Sequence, residues 1–183
     1  GYVPETFMKG GALFFKQARL SAAGCPVITV VHGSSTAGGA YMPGMSDYTI
    51  MVRGQAKAFL AGPPLVRAAT GEIADDETLG GTDMHATVSG LTEYVADTDA
   101  EAIAICRDVV ARVNFEGRVP TRTWDEPAYD IDEICGIVPP DYHKPYDVRE
   151  VIARLVDGSD FLEFKALYDT QTICGQAQIM GQA

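Results

Sequence analysis

A strand that runs straight into a block of small residues constrains this chain more than any other feature. Val27, Ile28, Val30 and Val31 form a short apolar, β-branched run introduced by Pro26, and the run stops at Gly33. Small residues continue almost unbroken from Gly33 to Ala40. A strand that feeds a helix through such a turn leaves backbone N–H groups unpaired at the helix start. Glycine lets another molecule come close to that backbone. The segment therefore predicts a place where N–H groups hold a carbonyl oxygen as it becomes negative, an oxyanion hole. Phosphate-binding loops are the competing reading, and the spacing departs from them. The segment contains no G-x-G-x-x-G, and no Lys follows the glycines to complete G-x-x-x-x-G-K-[ST]. Ser34 and Ser35 do not complete G-x-S-x-G either.

The rest of the chain alternates strand and helix patterns, which predicts an α/β architecture. Helical spacing covers residues 7–22 and ends near Gly24. Strands are expected at 27–31, 48–52, 55–60 and 92–96. A short helix is expected at 39–45, and another at 65–69, entered by Pro63 and Pro64. The clearest helix is 99–113: Thr98 caps it, Glu101 completes a capping box, and Ile103, Cys106, Val109, Val110 and Val113 follow helical spacing. Residues 114–146 change character, with five of the ten prolines and the only Trp. They read as a linker ordered by packing of Trp124 and Tyr129. Asp147 then caps a helix with Glu150 at the capping-box position and Val148, Val151, Ile152 and Leu155 on one face. Strands at 161–164 and 172–179 follow.

Composition excludes some classes of function. The 183 residues are 46% hydrophobic, enough for one sizeable core, and 25 acidic residues against 14 basic give a net charge of −11. Binding nucleic acid needs a basic face, so no nucleic-acid partner is expected. No apolar run approaches a membrane span, and Gly1–Glu5 does not read as a secretory leader. The chain begins without Met and reads as a fragment of a longer protein. Cys25, Cys106, Cys135 and Cys174 are scattered without C-x-x-C, so buried free thiols are expected and no metal site. His32, at the end of the first strand, reads as a structural histidine beside the candidate loop. Asp47 and Arg53 read as surface or helix-end charges.

The segment Ser35-Thr-Ala-Gly-Gly-Ala-Tyr-Met-Pro43 resembles the signature loop of biotin-dependent acyl-CoA carboxyltransferases. The stretches Phe59–Glu72, Leu79–His85, Val88–Gly90, Asp147–Ser159 and Phe161–Tyr168 match the same family in order. The wording of Gly38-Gly-Ala-Tyr41 and Gly62-Pro-Pro-Leu-Val66 is closer to the β subunits of methylcrotonoyl-CoA and geranyl-CoA carboxylases than to propionyl-CoA enzymes. The resemblance implies a crotonase/ClpP-like spiral of ββα units. Residues 1–115 would be the end of an N-terminal, acyl-CoA-binding carboxyltransferase domain, 116–146 an interdomain linker, and 147–183 the start of a C-terminal domain. It implies transfer of a carboxyl group from carboxybiotin to an acyl-CoA through an enolate. Gly38 and Gly39 are the backbone oxyanion hole in this reading. Ala37, Ala40, Tyr41, Gly62, Pro63 and Pro64 line the substrate site, and no metal takes part. The implied cofactor is biotin carried by a partner subunit or domain. The implied partners are an acyl-CoA, a biotin carboxylase/biotin carrier subunit and further copies of the chain in a hexamer. The implied compartment is the cytoplasm, or the mitochondrial matrix in a eukaryote.

Two positions depart from the family pattern: Ser35 stands where Cys is common, and His32 where an apolar residue is usual. The family's active site lies across a subunit interface, so this stretch alone is expected to be nearly inactive. Three other functions fit parts of the sequence. A biotin-dependent acyl-CoA decarboxylase shares the site. A ClpP-like serine hydrolase would use Ser34 or Ser35 with His85. A noncatalytic assembly module would self-associate without binding CoA.

Overall fold

Two sheets are interleaved along the first half of the chain. The computed structural model of the protein describes residues 4–113 and 123–182, with side chains of the first helix from Lys9 onward. It divides into two compact units, residues 1–115 with 167–169, and residues 116–166 with 170–183.

The first unit opens with helix α1 (Pro4–Ala22), which ends where Gly24 takes the left-handed conformation (φ 76°). Strands β1 (Ile28–Val31) and β2 (Ser34–Thr36) follow, then a 3-10 turn (Ala37–Ala40) and helix α2 (Tyr41–Gly44). Next come β3 (Tyr48–Val52), β4 (Lys57–Phe59), α3 (Pro63–Thr70), α4 (Asp76–Gly80) and α5 (Thr82–Met84). A π-helical turn (His85–Ser89), β5 (Tyr94–Ala96) and α6 (Asp99–Arg112) complete the unit. The strands β1, β3 and β5 form one parallel sheet in that order, while β2 and β4 form a second parallel pair. Each successive pair of strands thus sends its first member to one sheet and its second to the other. This is the ββα spiral that the motifs implied.

The core sits on β3. Ile50, Met51 and Val52 are fully buried, as a strand paired on both edges and covered by a helix requires. The buried threonine hydroxyls around it are satisfied. Thr49 donates to the Pro43 carbonyl (2.9 Å), Thr82 to that of Val52 (3.1 Å) and Thr92 to that of Thr49 (3.1 Å). Helix α6 packs against β1, β3 and β5. Thr98 Oγ1 accepts the N–H of Glu101 (3.2 Å) as expected, while the Glu101 carboxylate reaches back to the N–H of Asp97 (2.7 Å). The buried stripe differs from the expected one. Ala102 and Val109 are buried, whereas Ile103 and Val110 are about half exposed. The packed face runs through Ala102, Cys106 and Val109, so Cys106 and Val109 of the expected set lie on it while Ile103 and Val110 do not.

In the second unit a 3-10 turn (Ile131–Glu133) runs into α7 (Ile134–Ile137). Helix α8 (Val148–Ile152), a second 3-10 turn (Asp157–Ser159) and the antiparallel pair β6 (Leu162–Phe164) and β7 (Cys174–Gln176) follow. Residues 116–122 of the expected linker lie outside the described residues. Trp124 and Tyr129 are both substantially exposed, and Tyr129 lies under the Arg154 guanidinium (4.9 Å to the ring centre). Arg154 is buried and bonds Glu133 (2.7 Å) and Glu150 (3.0 Å), which hold its pKa above the usual arginine value. The Asp147 carboxylate accepts the N–H of Arg149 (3.0 Å), and α8 is only five residues long, with Val148 and Leu155 substantially exposed. Arg149 forms a two-point pair with Glu163 (2.5 and 2.7 Å), tying α8 to β6.

Tyr94 offers a test of the core. Its ring stacks on that of Tyr48 (6.4 Å between centres), and burial, reinforced by Tyr48 and Glu93, pushes its phenol up to about 12. Between pH 10 and 12 the unfolded phenol has released its proton and the folded one has not. Stability therefore falls as pH rises through that window, by at most about 1.4 kcal/mol per pH unit. Urea unfolding of the intact protein between about pH 9 and about pH 11 should show a shallower loss for Tyr94→Phe than for wild type. Equal slopes would show that the Tyr94 phenol ionises normally.

Candidate functional site

The small-residue segment makes its turn through strain at one position. Thr36 ends β2 in an extended conformation (φ −118°, ψ 144°), and Ala37 then takes a left-handed one (φ 52°). For a residue with a Cβ this costs on the order of 1–2 kcal/mol. The kink places Gly38 and Gly39 at the head of the 3-10 turn, where i→i+3 pairing leaves the Gly38 N–H without a partner in the turn and directs the Gly39 N–H to the Thr36 carbonyl. The Thr36 side chain does not cap the turn, and among the described residues no turn or loop acceptor takes the Gly38 N–H.

The space around these glycines shows what their small size serves. A Cβ placed on either Gly38 or Gly39 would meet no atom within 4 Å, and neither has a positive φ. Neither packing nor backbone geometry calls for glycine there. Within the described residues the space in front of this backbone is clear, so another molecule can come close to it. The second Gly-Gly pair is different. A Cβ on Gly80 would strike the Ala58 carbonyl and the Phe59 ring, and one on Gly81 would strike Glu77. Those glycines allow α4 to lie directly against β4.

An apolar cleft of about 470 Å³ lies at the end of the turn. Ala40 forms part of its wall, together with Ala58 to Ala61 around the end of β4, Val66 of α3, Leu79 of α4 and Leu91. His85 is the one ionisable side chain in the lining. It is buried, with Nε2 2.7 Å from the Ala58 carbonyl and Nδ1 2.7 Å from Ser89 Oγ.

The expected site residues fall in three places. Gly38 and Gly39 stand at the head of the 3-10 turn, with Ala37 supplying the kink and Ala40 the join to the cleft. Tyr41 is half exposed and packs edge-on against Phe14 (5.8 Å) rather than lining the cleft. Gly62, extended, is the N-cap of α3, and Pro63 and Pro64 are its first residues. None of the three lines the cleft, although Ala61 before them and Val66 after them do, and the Phe59 ring covers Gly62 at 3.3 Å from where a Cβ would stand.

Other candidates are held elsewhere. Asp47 accepts from Ser21 Oγ (2.5 Å) and from the Val27 N–H (2.7 Å), joining α1 to β1. Arg53 bonds Asp83 (2.9 Å) and Asp97 (2.5 Å), chiefly the former, which raises its pKa. His32 bonds Asp99 (2.6 Å) at the head of α6. Both ring nitrogens of His85 are engaged, so it does not activate Ser34 or Ser35, and the hydrolase reading loses its base. Cys135 and Cys174 are exposed, against the expectation of buried thiols, because both lie in the thinly packed second unit. Among the described residues no group of three or more His, Cys, Asp or Glu is placed to hold a metal ion. Sequence reasoning missed the cleft wall from Leu79 to Leu91. Its only signal was Gly80-Gly81 followed by a histidine.

Residues 2–183 match the family model of the carboxyl transferase domain, and the chain belongs to that family. Over 179 residues it is 54% identical to the probable biotin-dependent acyl-coenzyme A carboxylase beta2 subunit of Mycobacterium tuberculosis, covering 97% of this chain and 34% of that protein. It is 53% identical over 174 residues to the mitochondrial methylcrotonoyl-CoA carboxylase beta chain of Dictyostelium discoideum, covering 93% of this chain and 29% of that one. Among solved structures it resembles the beta subunit of Pseudomonas aeruginosa geranyl-CoA carboxylase, at 53% identity and a TM-score of 0.56 over 96% of this chain and 33% of that one. It also resembles transcarboxylase 12S with hydrolyzed methylmalonyl-coenzyme A bound, at 32% identity and a TM-score of 0.83 over 96% of this chain and 35% of that one. The chain spans about a third of the length of these relatives. The α/β spiral is the crotonase-like fold of the family.

The two Gly-Gly pairs should separate under mutation. In the intact protein, Gly80→Ala is expected to lower unfolding stability by about 1–3 kcal/mol through overpacking. Gly39→Ala should change it by less than about 0.5 kcal/mol. Urea midpoints decide the matter, and equal losses at both positions would give the Gly38–Gly39 pair a packing role.

Proposed function

We propose that this chain is part of the carboxyltransferase component of a biotin-dependent acyl-CoA carboxylase, and that it holds the acyl thioester. The observation that carries the reading is the Gly38–Gly39 backbone at the head of a 3-10 turn, fronted by free space and joined through Ala40 to an apolar cleft. A thioester oxygen becomes negative when the acyl group loses a proton to give an enolate. Backbone donors fixed at that oxygen, the Gly38 N–H first among them, stabilise the charge more in the transition state than in the ground state. An uncharged acyl chain suits the cleft, whose lining is aliphatic and aromatic apart from His85.

Carboxybiotin, brought by a partner subunit or domain, supplies the carboxyl group and takes up the proton. The residues present suit a reaction of that kind, because no acid or base of this chain lines the cleft other than His85, whose two nitrogens are already bonded. The chain's contribution is to bind, orient and shield the thioester. The relatives point to a branched, unsaturated acyl group of the methylcrotonoyl or geranyl type. The neighbouring transcarboxylase 12S forms a hexamer, and we read the same kind of assembly here, with the expected domain division at 1–115, 116–146 and 147–183. The expected compartment is the cytoplasm, or the mitochondrial matrix in a eukaryote, where relatives of this chain are placed. No helix among the described residues is long and apolar enough to cross a membrane.

Calorimetry on the full-length protein tests the assignment. Methylcrotonoyl-CoA or geranyl-CoA should bind at least about tenfold more tightly than free CoA, a difference of about 1.4 kcal/mol. Gly39→Val should lower carboxylation by about a hundredfold or more in the complete enzyme. Thioesters that bind no better than CoA, or full activity in Gly39→Val, would remove the oxyanion role.

A further inference from the structure

We propose that His85 is a positioning residue, locked by Ser89, that fixes the cleft wall relative to the Gly38–Gly39 turn. The inference rests on the function proposed above and adds a residue to its machinery. Strand β4 is paired along one edge only, by β2. Its other edge is held by the segment that follows α4. Lys57 forms a bridge with Gly81, and the imidazole of His85 meets the Ala58 carbonyl at 2.7 Å.

The partners fix the tautomer. A carbonyl oxygen only accepts, so Nε2 carries the proton. In the neutral imidazole Nδ1 then accepts, and the Ser89 hydroxyl donates to it at 2.7 Å. Ser89 Oγ in turn accepts the N–H of Leu91 (3.2 Å). The lock spans a π-helical turn, His85–Ser89, a costly geometry that recurs at functional sites.

The lock leads to the candidate oxyanion hole in three steps. His85 fixes Ala58. Ala58 and Phe59 lie opposite Ser35 and Thr36 in the parallel β4–β2 ladder. Thr36 directly precedes the strained Ala37 and the Gly38–Gly39 backbone, and its carbonyl is the 3-10 partner of the Gly39 N–H. Ala40, Ala58, Phe59 and His85 also share the cleft, so the lock sets the distance from the acyl-binding wall to the donors. Small errors in such a distance are costly, since a displacement of about 1 Å can lower a rate by about a hundredfold.

The test uses the full-length enzyme with its biotin-bearing partner and methylcrotonoyl-CoA. His85→Leu should lower kcat by at least about tenfold with KM within about threefold of wild type. His85→Gln, whose side-chain amide can still donate to the Ala58 carbonyl, should recover kcat to within about threefold. Ser89 is exposed, so Ser89→Ala should fold even where His85→Leu does not. Nitrogen NMR of the imidazole should show the Nε2–H tautomer in both proteins, with the Nδ1 signal shifted in Ser89→Ala by the lost hydrogen bond, together with a lower kcat. A rise in KM alone, a fall in melting temperature with kcat unchanged, or a Gln variant as impaired as Leu would overturn the positioning role and leave the proposed reaction standing. A wild-type enzyme that carboxylates no acyl-CoA would instead remove the proposed reaction, and this role with it.

Discussion

Strand β3 is the constraint on which the first unit depends. It is paired with β1 on one edge and β5 on the other, and covered by α6. Ile50, Met51 and Val52 therefore lie wholly out of water. Burial of that many apolar side chains supplies the largest favourable contribution to the unit's stability. Parallel pairing also forces each connection to leave the sheet and return. The chain uses each excursion to lay down a second, shorter strand, first β2 and then β4. The catalytic candidates all sit on these excursions: the turn after β2, the end of β4 and the helices that follow it.

The elements that were legible in the sequence are those whose burial shows in residue type. Apolar β-branched runs marked β1 and β3, and Thr98 with Glu101 marked the start of α6. Strand β2 was hidden because Ser34, Ser35 and Thr36 are polar and paired along one edge, so they carry no apolar signal. Helices α4 and α5 were hidden because five and three residues are too short for helical periodicity to register. The face of α6 was misread for a related reason. Apolar spacing favours large side chains, whereas close packing on a sheet favours the small Ala102.

The site was legible as backbone and obscure as a pocket. A small-residue run after a strand is a local pattern, and it marked the turn in which Gly38 and Gly39 stand. The cleft beside them is assembled from Ala40, Phe59, Val66, Leu79 and Leu91, which are far apart in sequence and ordinary in kind. Only topology brings them together. His85 was equally obscure, since what distinguishes it is a hydrogen bond to the carbonyl of a residue 27 positions away.

The two Gly-Gly pairs show how one dipeptide does opposite work in a single site. Gly80-Gly81 removes side chains so that protein can touch protein, bringing α4 against the Ala58 carbonyl and closing the wall. Gly38-Gly39 removes them where no described residue stands within 4 Å, leaving the backbone accessible. The first pair gives the wall rigidity, and the second gives the turn access. The oxyanion role proposed for the turn needs both, because donors must already be fixed in place and must not be filled by the protein itself. The strain held at Ala37 fits the same logic. A residue kept in a left-handed conformation persists only where its surroundings over-determine it. Here those surroundings are the β2–β4 ladder before the turn and α2 directly after it.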